Sequence, residues 1–357
     1  MATVPAELAR RAATVDAALG PAVEPALDRV RDLHPSLGSW ADELGGMLAA
    51  GGKRLRPALL LLGHAAVAPE GDEDAVLPAA LALELLHTCA LLHDDLLDDA
   101  PTRRGRVTAH ESFAATHREQ DWAGDDWRYG AAAAVLVGDL AFVIADELFL
   151  AADVPAERLL TGMRAFTVLR EEVMAGQALD VQAAAARLTD RDLALTVATA
   201  KSGRYSVARP LEIGALLGGA DAATAASIRE AVEPLGRAFQ VRDDLLGVFG
   251  DQGTTGKSAA GDLREGKRTL LVAEAAARLD EAGRQELERL LGDPTLDDEG
   301  VERARTLLHD SGGVEATRAW IDDAVARGLA AVDDLDIDPT ARETLRAMGA
   351  WLAGRDA

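Results

Sequence analysis

The stretch Leu91–Gly105, LLHDDLLDDAPTRRG, sets Asp94, Asp95, Asp98 and Asp99 into an otherwise apolar run, then breaks at Pro101 and supplies Arg103 and Arg104. Leu91, Leu92, Leu96 and Leu97 recur at the three- and four-residue spacing of a helix seated in a core. On that helix Asp94 and Asp98 stand one turn apart on one face. Asp95 and Asp99 form the same pair, rotated by about 100°. Buried carboxylates are costly unless cations meet them. Hard oxygen donors in pairs suit Mg²⁺, which keeps waters and bridges to phosphate oxygens. For this segment alone, a solvated face of an acidic protein is the competing reading.

A second acidic pair lies in Phe239–Asp251, FQVRDDLLGVFGD, where Asp243 and Asp244 again interrupt an apolar helical run. Gln240 precedes Asp243 by one turn on the same face, and Asp251 follows in the terminating loop. Two such pairs on separate core helices, facing each other across a cavity, could hold metal ions around one polyanion. The basic residues support a polyanion. Only Lys53, Lys201, Lys257 and Lys267 are lysines among 37 basic residues, and each falls in a candidate anion motif. Gly51–Pro57, GGKRLRP, opens a helix whose first amides favour anions, with Lys53 and Arg56 three residues apart and expected on one face. Two phosphate-bearing ligands are expected: one on metals with Lys201, Lys257 and Lys267, the other on Lys53, Arg56 and Arg104 without metal.

The whole chain carries this pattern on helices. Apolar periodicity runs through Leu81–Leu97, Ala131–Leu150, Leu159–Val173, Ala223–Val248 and Thr269–Leu291, and no alternating β-branched stretch suggests a strand. No Pro/Ser-rich linker divides it. One all-α domain over residues 1–357, of ten or more helices, is expected. Hydrophobic residues at 48% exclude a disordered chain, and a net charge of −23 argues against nucleic acid and anionic lipid as partners. The single cysteine, Cys89, precludes an intramolecular disulfide and fits a reducing cytoplasm. Neither a signal-peptide layout nor an uninterrupted apolar run of about 18 residues is present, so no membrane span is expected.

Taken in order, GGKRLRP, HDDLLDDAPTRRG, GQALD, KSGRY, FQVRDD and GKSAAGDLREGKRT resemble the trans-type polyprenyl diphosphate synthases, over about residues 45–275. The resemblance implies a helical bundle of the isoprenoid-synthase type with a deep central cavity, a homodimer, and a prenyltransferase reaction. Such enzymes condense isopentenyl diphosphate with an allylic diphosphate (dimethylallyl, geranyl or farnesyl) using Mg²⁺, three ions per site. Asp94, Asp95 and Asp98 match the first metal motif, with Asp94 and Asp98 as direct ligands; Asp243 and Asp244 match the second, with Asp243 direct. Lys201, Lys257 and Lys267 would hold the allylic diphosphate with Arg103 beside it, and Lys53, Arg56, His87 and Arg104 the isopentenyl diphosphate. Ser202, Gln240 and the carbonyl near Lys201 would face the developing cation, and Gln177 and Asp180 would support the site.

Two positions depart from the family pattern: Gly247 stands where a third Asp is usual, and Ser202 where Thr is common. Asp251 or water could take the place of the missing carboxylate. The floor under the acids would be Ala90, Cys89 and Leu86. Because Cys89 and Ala90 are small, a product longer than farnesyl diphosphate is expected, geranylgeranyl first, with Leu86 and Phe142 or Phe149 as the next floor. Three other readings compete. A class I terpene cyclase would not need GGKRLRP or Arg104, and a non-catalytic partner subunit would have lost an acidic pair. A di-iron bundle needs two Glu-x-x-His pairs, and only Glu84–His87 is present.

Overall fold

The computed structural model describes residues 4–103, 105–250 and 261–353, almost entirely helical. The chain forms two compact units. One consists of Ala6–Leu62 and Glu70–Met163, the other of Met1–Pro5, Gly63–Pro69 and Arg164–Ala357. Each unit is assembled from separated stretches of chain, which is why no polar linker in the sequence marks a boundary.

In the Ala6–Leu62/Glu70–Met163 unit, α1 (Ala6–Leu33) packs on α2 (Gly38–Ala49) and on α4 (Glu73–Leu97). The main layer is α4 against α6 (Asp126–Leu150), which also receives α5 (Ala109–Glu119). Leu83, Leu85 and Leu92 of α4 and Phe149 of α6 are fully buried. Helix α4 starts at Glu73, well before the expected Leu81, because Asp72 caps it by accepting from the Asp74 amide at 2.9 Å and Glu73 and Asp74 favour its first turn. It ends at Leu97 with Asp99 in the left-handed region (φ 48°). Helix α4 is long and apolar enough to cross a membrane by length and composition, and 67% of that window is buried in the protein. A two-residue antiparallel hairpin, Thr102–Arg103 with Arg106–Val107, follows where no strand was expected.

In the other unit, the described residues include α7 (Ala156–Ala185) from Arg164 onward, α8 (Arg191–Val197), a π-helical segment Ala198–Ala208, α9 (Arg209–Gly218) and α10 (Ala222–Phe249). Helix α10 packs against the π segment and against Gly313–Asp333. Asp221 caps α10 from its side chain, accepting from the Thr224 amide at 2.8 Å. The expected helix over Thr269–Leu291 is instead two, Leu270–Ala276 and Glu281–Leu290. Asp280 splits them by capping the second, accepting from the Gly283 amide at 2.8 Å.

Candidate active site

The last turn of α4 carries the first acidic group. Asp98 closes the helix, its amide 2.8 Å from the Asp94 carbonyl, so Asp94 and Asp98 keep their one-turn relation. Asp99, at φ 48°, leaves the helix, and the expected Asp95/Asp99 pair does not form as a helical pair. The hairpin returns Arg103 to the helix, where its Nε donates to Asp95 Oδ1 and its Nη2 lies 3.6 Å from Asp94 Oδ2. The Asp95 side chain is 2% exposed and that of Asp94 21%, so Asp94 is the more open to an ion. Below the acids, Leu86 and Cys89 are buried and Ala90 is half-buried. Burial, with the charge of Asp139, pushes the Cys89 thiol up to about 12.

The GGKRLRP segment folds differently from a single helical start. Gly51 (φ 75°) and Arg54 (φ 45°) are both left-handed, and the helix α3 (Leu55–Val67) begins only at Leu55. Lys53 therefore precedes the helix and does not share with Arg56 the helical face that the spacing predicts. Lys53 is exposed, while Arg56 and His87 are half-buried. Arg54, which the motif left without a role, is the buried member: its Nη1 donates to Glu84 Oε1 at 2.5 Å, its Nη2 to the Leu48 carbonyl at 2.6 Å and its Nε to Asp16 Oδ1 at 3.0 Å. Glu84 is thereby occupied by Arg54, and the half di-iron reading of Glu84–His87 loses its carboxylate.

In the Arg164-containing unit, Lys201 and Ser202 lie in the π segment, a wide turn that recurs at functional sites because it disturbs the usual carbonyl ladder. Close backbone approach shapes it. A Cβ at Gly236 of α10 would collide with the Gly203 carbonyl, and one at Gly176 with the Lys201 amide. Lys201 Nζ donates to Asp180 Oδ2 at 2.6 Å, joining two residues the sequence had placed 21 apart. Gln240 Nε2 donates to Asp244 Oδ1 at 2.6 Å. Burial, with the negative charges of Asp262 and Asp180, pushes the Asp244 carboxyl up to about 7 against the Gln240 hydrogen bond and the charge of Lys267. Lys267 Nζ lies 3.1 Å from Asp262 Oδ1 and also pairs with Glu265. A Cβ at Gly247 would collide with Asp262 Oδ2, so the carboxylate of Asp262 stands where a side chain at 247 would begin.

Asp262 has no role in the sequence reading, although the same segment, GDLREGK, supplies Lys267. Sequence distance from α10 hides that it fills the space over Gly247. Arg104, Lys257 and Asp251 lie outside the described residues. The tryptophan loop after α5 belongs to an aromatic cluster: Trp122 and Tyr129 pack on His117, and Trp40 and Tyr129 pack on Phe113. Among the described residues no group of three or more His, Cys, Asp or Glu side chains is gathered around a point that could hold a metal. Mg²⁺ does not need such a cage; it takes one or two carboxylates with waters and phosphate oxygens. Burial, with the charges of Asp262 and Asp180, holds a proton on Asp244, and a cation beside it would offset both, so the donor set fits a hard divalent ion.

The Polyprenyl synthetase family model matches residues 39–308. The chain is 35% identical over 280 residues to a geranylfarnesyl diphosphate synthase of Aeropyrum pernix, covering 75% of this chain and 79% of that protein. It is 32% identical over 326 residues to a (2E,6E)-farnesyl diphosphate synthase of Mycobacterium bovis, covering 89% and 84%. Among solved structures, a geranylgeranyl pyrophosphate synthase of Corynebacterium glutamicum, complexed with isoprenyl diphosphate and magnesium, superposes with a TM-score of 0.92 at 32% identity, covering 98% of this chain and 99% of that one.

Proposed function

This chain belongs to the polyprenyl synthetase family and is a prenyltransferase, and on that premise we propose that it condenses isopentenyl diphosphate with an allylic diphosphate in a Mg²⁺-dependent reaction, with geranylgeranyl diphosphate as main product. One observation carries the reading most directly: the charges of Asp262 and Asp180 both bear on buried Asp244, while Lys201 is held against Asp180 and Lys267 against Asp262. Acids and lysines interleaved in this way suit a metal-bound polyanion, with each lysine able to turn from its acid to a phosphate oxygen.

In this reading Asp94, Asp98 and Asp243 would hold Mg²⁺, three ions per site, with Asp95 and Asp244 supporting them; when bound, the metal would supply neutralisation of charge on the leaving diphosphate. Lys201, Lys257 and Lys267 hold the allylic diphosphate, with Arg103 locked on Asp95 to keep the acidic face oriented. The allylic C–O bond breaks with its electron pair on diphosphate, and the isopentenyl double bond attacks the allylic carbon. The proton then lost from the isopentenyl unit passes to the released diphosphate, so no protein base is required. The carbonyls of the π segment, the Ser202 hydroxyl and Gln240 direct oxygen dipoles toward the developing cation. Lys53, Arg56, His87 and Arg104 hold isopentenyl diphosphate without metal, and Gln177 and Asp180 support the lysines.

The relatives' names span farnesyl, geranylgeranyl and geranylfarnesyl products, so product length rests here on the small side chains Cys89 and Ala90 above Leu86. A homodimer is part of the same proposal: Leu136, Val143 and Leu150 form an exposed apolar stripe at seven-residue spacing along α6, 54%, 63% and 56% exposed. The test is to incubate the purified chain with Mg²⁺, isopentenyl diphosphate and each allylic primer, and to read products by mass spectrometry. A twenty-carbon product, lost in Asp94→Ala and Asp243→Ala, is expected. Absence of elongation with every primer would overturn the activity, and near-normal rates in either variant would overturn the metal assignment.

A further inference from the structure

Arg54 stands between two residues assigned to isopentenyl diphosphate, Lys53 and Arg56, yet its own side chain is only 4% exposed. Its backbone is left-handed at φ 45°, a conformation that any residue with a Cβ adopts only when its surroundings impose it. Three bonds impose it here, from the guanidinium to Glu84, to the Leu48 carbonyl and to Asp16. Glycine would suit that backbone better, so the arginine is held by what its head does. Glu84, with a side chain 5% exposed, lies on α4 three residues before His87 and on the same face. One buried ion pair thus joins the segment carrying Lys53 and Arg56 to the helix carrying His87. Net stability is a weak reason for such a pair, because desolvating both charges offsets most of their attraction. Its distinctive effect is orientation: a rigid guanidinium fork bonded in three directions fixes the backbone between the two cationic side chains.

We propose that Arg54, held by Glu84, is a positioning residue for the diphosphate bound by Lys53, Arg56 and His87, setting the distance between the GGKRLRP segment and α4. The proposal rests on the assignment of those three groups to isopentenyl diphosphate. It predicts a selective defect. In Glu84→Gln and in Arg54→Lys, KM for isopentenyl diphosphate rises by about tenfold or more, while KM for the allylic substrate and kcat stay within about twofold.

Arg11→Leu serves as the structural control, since it removes a buried arginine of α1 whose Nη2 pairs at 2.6 Å with Oε1 of Glu73, a more exposed carboxylate on the same helix as Glu84. It lowers Tm but leaves KM for isopentenyl diphosphate unchanged. Binding of isopentenyl diphosphate alone, by calorimetry, separates the two levels of argument. If the wild-type chain binds none, the assignment of the subsite fails. If the wild-type chain binds it and Glu84→Gln and Arg54→Lys bind it equally well, the positioning role alone fails. A common loss of kcat and of both KM values in all three variants, Arg11→Leu included, would equally overturn it. Arg54→Lys keeps the charge and loses the fork, so it tests the idea even if Glu84→Gln does not fold.

Discussion

Asp244→Asn should make the metal-free protein more stable at pH 8 while impairing the enzyme. The folded carboxyl titrates at about 7 against an ordinary 3.8, because of burial and the charges of Asp262 and Asp180. Between those values the folded chain keeps a proton that the unfolded chain has released, so stability falls as pH rises through that window. Above about pH 7 the full penalty is present. A difference of about three units corresponds to about 4 kcal/mol, and partial exposure of Asp244 reduces this to about 2–4 kcal/mol. For a chain of this length, at about 2.1 cal/mol/K per residue, that is a Tm difference of about 3–5 °C. Asparagine cannot ionise, and its amide oxygen can still accept from Gln240. Thermal unfolding in EDTA at pH 5 and pH 8 reads the effect: the wild type loses stability between the two, and Asp244→Asn loses less by about two-thirds of that amount, because pH 5 already lies about one unit inside the window. Adding Mg²⁺ with inorganic pyrophosphate restores the wild type at pH 8 more than the variant. Parallel pH profiles for the two proteins, or a variant less stable than wild type at pH 8, would refute the reasoning.

Ala90→Phe should shorten the main product, read by mass spectrometry of the dephosphorylated chain; an unchanged length would place the floor elsewhere. Gly236→Ala puts a Cβ into the Gly203 carbonyl, and should cost about 1–3 kcal/mol by thermal unfolding while lowering kcat through the displaced Lys201 segment. Unaltered stability and rate would show that the contact yields freely. The Cys89 thiol, pushed up to about 12 by burial, should resist iodoacetamide in the native state at pH 8 and react on denaturation; rapid native labelling would contradict its burial.

Local patterns were legible because they repeat within a turn or two of chain. The apolar spacing over Ala223–Val248 matches α10, Ala222–Phe249, to within a residue at each end, since an amphipathic period survives in the sequence whatever the helix packs on. The acid pairs and the rare lysines point to a metal and phosphate chemistry, the part carried into the proposal, for the same reason. Propensity alone could not show that Asp280 breaks the segment Thr269–Leu291, because a side-chain cap competes with a helix that either half could have continued. The remaining features depend on residues far apart in the chain. Arg54 meets Glu84 across 30 positions, and Lys201 meets Asp180 across 21. Asp262 takes the space over Gly247 only because the two are brought together in the folded chain. What the sequence by itself determined is which residue types lie at helical spacing, and hence the class of fold and chemistry. Which of those charges are locked to each other, which carboxylate crowds Asp244, and where the helix widens at Lys201 were decided by tertiary packing, because ion-pair partners, burial and backbone collisions are set by neighbours in space rather than along the chain.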